Sequence, residues 1–96
     1  MSDRKIHELK LLENFASDVE SGRKNFEIRN NDRGFQTGDL VQFKVISNTG
    51  RHVNYYWELE EKVFEITYIL NGWGLKDGYV VFGIKEIEES DSTEGE

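Results

Sequence analysis

Within eleven residues the chain places four bases, Arg23, Lys24, Arg29 and Arg33, with Glu27 set among them. Arginine grips phosphate as a planar fork and lysine as a point charge, so this run has the makings of a phosphate site. Glu27 can accept hydrogen bonds from an exocyclic amine or a 2′-hydroxyl, which is what recognition of single-stranded RNA asks for. Tyr55, Tyr56, Trp57 and Trp73 are candidate stacking platforms, each worth ~1–3 kcal/mol per base. A blander reading stands beside this one. The bases can simply pair with Glu20, Glu27 and Asp32 on a solvated surface, where ion pairs stabilise little, and Trp57 and one tyrosine can be core residues. Trp73 lies in a glycine-rich loop and reads as exposed.

Other chemistries find less support. His7 and His52 sit on separate segments, no cluster supplies three ligands, and no metal site is expected. His7 reads as a structural residue. The chain has no cysteine, so thiolate sites, disulfides and cysteine nucleophiles are excluded. Ser21, Thr37 and Ser47 have no evident His or Asp partner for a triad. Gly72, Gly74 and Gly78 do not open a helix and make a poor phosphate loop. No cofactor is expected.

The elements that must position the charged run follow from periodicity. Leu12, Phe15, Ala16 and Val19 recur at helical spacing, which predicts a helix over 12–20 ending at Ser21-Gly22 and held by Phe15 and Val19. Phe26 and Ile28 alternate with Glu27 and Arg29, which predicts a strand with the apolar pair facing the core and the charged pair facing outward. Lys24 is out of phase with that pair and joins it only if the backbone turns after Gly22. Residues 5–10 read as a short irregular strand, with Ile6 off phase. Leu40 to Ile46 is a half-buried strand, and Asn48-Thr49-Gly50 a hairpin tip. Tyr55 to Leu70 is β-prone, with Phe64, Ile66, Tyr68 and Leu70 inward, and Glu58, Glu60 and Glu61 predict a bulge or break in its middle. Tyr79 to Ile87 is the last strand, with Val80, Phe82 and Ile84 inward and Gly83 marking a close approach.

Ninety-six residues make one small domain, and the formal charge of −7 is unevenly spread. Five of the 19 acids lie in the last nine residues, leaving 14 acids against 12 bases before Glu88. The body is thus close to neutral, and a local positive patch is compatible with an acidic protein. The expected organisation is a single domain over 1–87 with a disordered acidic tail over 88–96. No run approaches the ~20 apolar residues of a membrane span, so no membrane partner is expected and a cytoplasmic setting is the default. About five strands with one or two short helices read as a mainly β (α+β) fold, a small β-barrel with a helix packed on it.

Gly22-Arg23-Lys24-Asn25-Phe26-Glu27-Ile28-Arg29 resembles the G-x-K-x-x-E-x-R signature of the ASCH domain superfamily, whose members share a PUA-like barrel. The fuller series is similar to the DUF3850 family: His7 to Lys10, Lys24 to Phe35, Gly38-Asp39, Thr67 to Leu70, and Gly74 to Val81. The resemblance covers residues 6–85. It implies a PUA-like fold with a cleft beside the signature strand, lined by Gly22, Lys24, Glu27 and Arg29, and RNA or a modified nucleotide as ligand. Some ASCH proteins are amidohydrolases that deacetylate N4-acetylcytidine with a Lys, a Thr and a Glu. Lys24 matches that Lys, but Glu27 stands where the Thr nucleophile would be, which points away from the activity; Glu65 matches the later acid by position only.

Three functions are compatible with these residues. The first is an RNA- or nucleotide-binding module using Gly22, Arg23, Lys24, Glu27, Arg29, Arg33 and Trp73. The second is a hydrolase of an acylated nucleoside, with Lys24 and Glu27 catalytic. The third is a protein-interaction module working through the acidic tail. The sequence leaves the oligomeric state open.

Overall fold

In the computed structural model, which describes residues 4–88, seven elements follow one another: β1 (Ile6–Leu12), α1 (Glu13–Glu20), β2 (Phe26–Asn30), β3 (Leu40–Ile46), α2 (Trp57–Glu61), β4 (Val63–Asn71) and β5 (Tyr79–Ile87). The five strands make one mixed sheet in the order β1-β3-β4-β5-β2, with β1 parallel to β3 and every other pair antiparallel. Beyond Glu88, the acidic tail lies outside the described residues.

Alternation along the strands builds the core. Leu9 and Leu11 of β1, Val41, Phe43 and Val45 of β3, Ile66 of β4, and Val80, Phe82 and Ile84 of β5 point to one side and are buried together. Ala16 and Val19 of α1 and Leu59 of α2 cap that side. β1 is longer and more regular than the sequence suggested, because its inward set is His7, Leu9 and Leu11 and the off-phase Ile6 simply faces out. His7 is buried against the Phe35 ring, its Nε2 2.8 Å from Asp39 Oδ2, and Asp39 also accepts the Gln36 N–H. The imidazole thus ties β1 to the turn that feeds β3.

The expected break at Glu58, Glu60 and Glu61 is present as a helix over 57–61, but Tyr55 and Tyr56 ahead of it form no strand, and Trp57 is 56% exposed instead of in the core. A strand would have had to place Glu58, Glu60 and Glu61 on both of its faces; the helical turn buries Leu59 alone. Glu60 then accepts the Val45 N–H at 2.7 Å on the half of β3 that β4 does not reach, and Tyr56 packs on the core edge. The irregularity in β4 falls later, between Ile66 and Tyr68. It shifts the parity, so Tyr68 faces solvent and Ile69 packs inward in its place. Gly83 lies opposite: a Cβ there would meet Thr67 Oγ1 at 2.8 Å, the close approach expected of this glycine.

The expected barrel does not close by hydrogen bonds. β1 and β2 are the two ends of the strand order and are not paired with each other. They are nevertheless brought within side-chain reach. Arg29 Nη2 donates to the Lys10 carbonyl at 2.8 Å and Arg33 Nη1 to the Glu8 carbonyl at 2.9 Å. Arginine side chains thus occupy acceptors that a further ladder would have used, which also blunts the exposed edge of β1.

Candidate functional site

The seam between β1 and β2 is an open cleft of about 520 Å³. α1 and the turn behind it set one end. Gly22, at φ 84°, takes the left-handed conformation that terminates α1, and its N–H donates to the Val19 carbonyl. The Lys24 N–H then folds back on the Asp18 carbonyl at 2.9 Å. That reversal turns the out-of-phase Lys24 side chain into the cleft.

β2 has the expected period and the opposite facing. Glu27 is inward and only 3% exposed, while Phe26 and Ile28 are 42% and 52% exposed. The register with β5 explains the inversion. Glu27 stands opposite Phe82, one of the most buried residues of the chain, so side chains at 27 point to the core side. A carboxylate is tolerable there because two cations meet it. Lys24 Nζ is 2.7 Å from Glu27 Oε2, Arg29 Nε is 3.0 Å from Oε1, and Arg29 Nη2 is 2.9 Å from the same oxygen. Lys24 Nζ also donates to the Phe26 carbonyl at 2.9 Å.

Phe26 and Ile28 are freed from the core by the same inversion and form one wall of the cleft, facing Leu12 and Phe15. The Lys24 ammonium lies 5.5 Å from the Phe15 ring centroid and 5.0 Å from that of Phe26, within range of cation–π attraction to both. The result is a trough with apolar walls and a floor of two cations and one carboxylate, of net charge +1, with Lys10 a third cation in its lining.

Of the residues singled out in the sequence, Lys24, Glu27 and Arg29 meet in this cleft, and the others do not line it. Gly22 shapes the turn. Arg23 is largely exposed, with its Nε 3.8 Å from Asp18 Oδ1. Arg33 is tied to the Glu8 carbonyl. Trp73 is 87% exposed in the β4–β5 loop, at φ 50°. Glu65 is paired with Arg4 at 3.2 Å on β4. Glu27 does not stand ready to take a ligand's amine as expected, since it is buried and both its oxygens are engaged. Leu12, Phe15, Phe26 and Ile28 were missed as cleft residues; the signal was there in a carboxylate with a cation on either side, which can go inward and turn its apolar neighbours out.

A family model described as a domain of unknown function, DUF3850, matches residues 6–84. The chain belongs to the DUF3850 family. The DUF3850 match takes in β1, α1 and β2 entire, so both edges of the cleft and its floor lie within the family domain. No curated protein matches the chain. Among the described residues of this DUF3850 domain, no helix is long and apolar enough to cross a membrane, and no three His, Asp or Glu side chains gather as metal ligands would.

Proposed function

We propose that the cleft between β1 and β2 binds a nucleotide, either free or as one base of a single-stranded RNA. The observation that carries this reading is the pairing of apolar walls from Phe15, Phe26, Leu12 and Ile28 with a floor of net charge +1, in about 520 Å³. That volume is in the range of small-molecule sites, and rings along the walls suit a planar heterocycle. The likeness of Gly22–Arg29 to the ASCH signature supports the same ligand class. A PUA-like ancestry also fits a five-stranded sheet whose end strands almost meet, with the family's barrel opened at one seam.

The hydrolase alternative needs Lys24 to accept a proton or attack a carbonyl. In the structure Lys24 donates to Glu27 and to the Phe26 carbonyl, and no Thr stands in the cleft. Binding is therefore the better reading. A protein-interaction role for the acidic tail rests on residues outside those described. A cytoplasmic setting agrees with an RNA or nucleotide ligand and rests on composition.

The test is an amide NMR titration with nucleoside monophosphates and, separately, a short single-stranded RNA. Shifts centred on residues 10–15 and 24–29 are expected. Shifts confined to the loop around Trp73, or none with either ligand, would remove the proposal.

A further inference from the structure

The hydrogen-bonding groups that face the cleft are unequal in kind. Register fixes the backbone ones. In the β2–β5 pair, the Ile84 N–H bonds the Asn25 carbonyl and the Asn31 N–H bonds the Gly78 carbonyl. Antiparallel pairs alternate, so the odd residues of β2 bond towards β5 and the even ones, Phe26 and Ile28, present N–H and C=O to the seam. Lys24 Nζ on the Phe26 carbonyl confirms this direction. In β1 the Lys5 carbonyl takes the Leu40 N–H of β3, so the even residues Glu8, Lys10 and Leu12 face the seam. Arg33 and Arg29 on the Glu8 and Lys10 carbonyls agree.

Donors are in surplus. Of three N–H groups on Lys24 Nζ, Phe26 and Glu27 take two. Arg29 uses its Nε–H and Nη2 on Glu27 and Lys10, leaving the two N–H groups of Nη1 without a protein acceptor among the described residues. The amides of Lys10, Leu12 and Ile28 add backbone donors. Against them, among the described residues that line the cleft, Glu27 is buried with both oxygens engaged, the Phe26 and Lys10 carbonyls each already accept a cation, and the Leu12 carbonyl, at the N-cap of α1, takes the first helical bond, which leaves the Ile28 carbonyl as the seam-facing acceptor without a partner.

We infer that the cleft, if it holds a nucleobase as proposed above, selects uracil. Uracil brings two ring carbonyls to a donor-rich site and a single N–H for the Ile28 carbonyl. Cytosine, adenine and guanine each bring an exocyclic amine whose N–H groups exceed the open acceptors, and a polar group left without a partner weakens binding. The discrimination expected from one such mismatch is about tenfold in Kd.

The experiment uses the four ribonucleosides, which lack phosphate, and 3-methyluridine, which lacks the N–H. Each is titrated into labelled protein, and Kd is read from the amides of residues 10–15 and 24–29. The expected result is uridine tightest, cytidine weaker by about tenfold, and 3-methyluridine weakened to a similar degree. Equal affinities, or a preference for an amino-bearing base, would overturn the uracil assignment while leaving nucleotide binding intact. No response from any nucleoside, with a response to nucleoside monophosphates, would overturn it in favour of a phosphate site. Silence from every ligand would overturn both readings.

Discussion

Arg29 joins the two free ends of the sheet: its Nη2 lies 2.8 Å from the Lys10 carbonyl of β1 while its Nε holds Glu27 of its own strand at 3.0 Å. One side chain thereby bridges the seam and positions the buried acid. Lys24 shares only the second duty. Both Arg29→Met and Lys24→Met leave Glu27 with one cation, but Arg29→Met also opens the bond to β1. Hydrogen bonds to charged groups contribute about 1.5–3 kcal/mol each. Denaturant unfolding should therefore show Arg29→Met as the more destabilising by about 1–2 kcal/mol. Equal losses would mean the bridge to Lys10 contributes nothing.

Removing Glu27 tests the same cluster from the other side. Glu27→Gln keeps the shape and leaves Lys24 and Arg29 without their shared counter-charge. The cations are partly exposed, 18% and 25%, so water compensates them in part. A loss of about 1–3 kcal/mol is expected, with coupling to Lys24→Met in a double-mutant cycle. Additive losses in that cycle would show that the Lys24–Glu27 pair is not an energetic unit.

The inverted strand shows where the sequence was legible and where it was not. The period of residues 26–29, the turn at Gly22, the span of β3, the inward set of β5 and the close approach at Gly83 all follow from local pattern. Which face of β2 turns inward does not, because hydrophobicity alone sends Phe26 and Ile28 to the core. The winning term is a three-body one, Glu27 between Lys24 and Arg29, formed only after α1 reverses the chain. Trp57 and Tyr68 failed for related reasons. A helical turn and a bulge each reset the parity of a run whose composition was β-prone throughout.

Salt dependence discriminates between a phosphate clamp and a pocket for a base. Three free cations on a single strand would give a log–log slope of about −2. In the structure Arg33 is committed to the Glu8 carbonyl, and Lys24 with Arg29 is offset by Glu27 to net +1. Lys10 is the one further cation among the described residues that line the cleft, so binding of a short single-stranded RNA should show a slope of about −0.7 to −1.4. A slope as steep as −2 would mean that cations outside the cleft make the contact.

Tyr55 gives a titration that reports on α1. Its hydroxyl donates to Glu13 Oε1 at 2.7 Å, and that bond, with the carboxylate charge, raises the phenol above its ordinary 10.0. A raised value means that the folded state favours the neutral phenol. The tether's contribution is fully present below the ordinary value and is lost as pH rises through the raised one. Ultraviolet titration of tyrosinate should show Glu13→Gln moving one tyrosine downward, and Tyr55→Phe removing that transition. If Glu13→Gln leaves the profile unchanged, the tether is absent in solution.

Phe26 separates binding from stability. At 42% exposed, it contributes less to the fold than a buried aromatic, whose truncation costs about 3–5 kcal/mol. Phe26→Ala should therefore cost only about 1–2 kcal/mol in unfolding, and Val80, Phe82 and Ile84 of the neighbouring β5 stay in the core. The same truncation removes a ring from the cleft wall, and a lost stacking contact is worth about 1–3 kcal/mol per base. Nucleotide affinity should fall by about tenfold in a protein that still unfolds cooperatively. Trp73→Ala, far more exposed and outside the cleft, should leave that affinity unchanged. The reverse pattern, binding lost with Trp73 and kept without Phe26, would move the site from the seam to the β4–β5 loop.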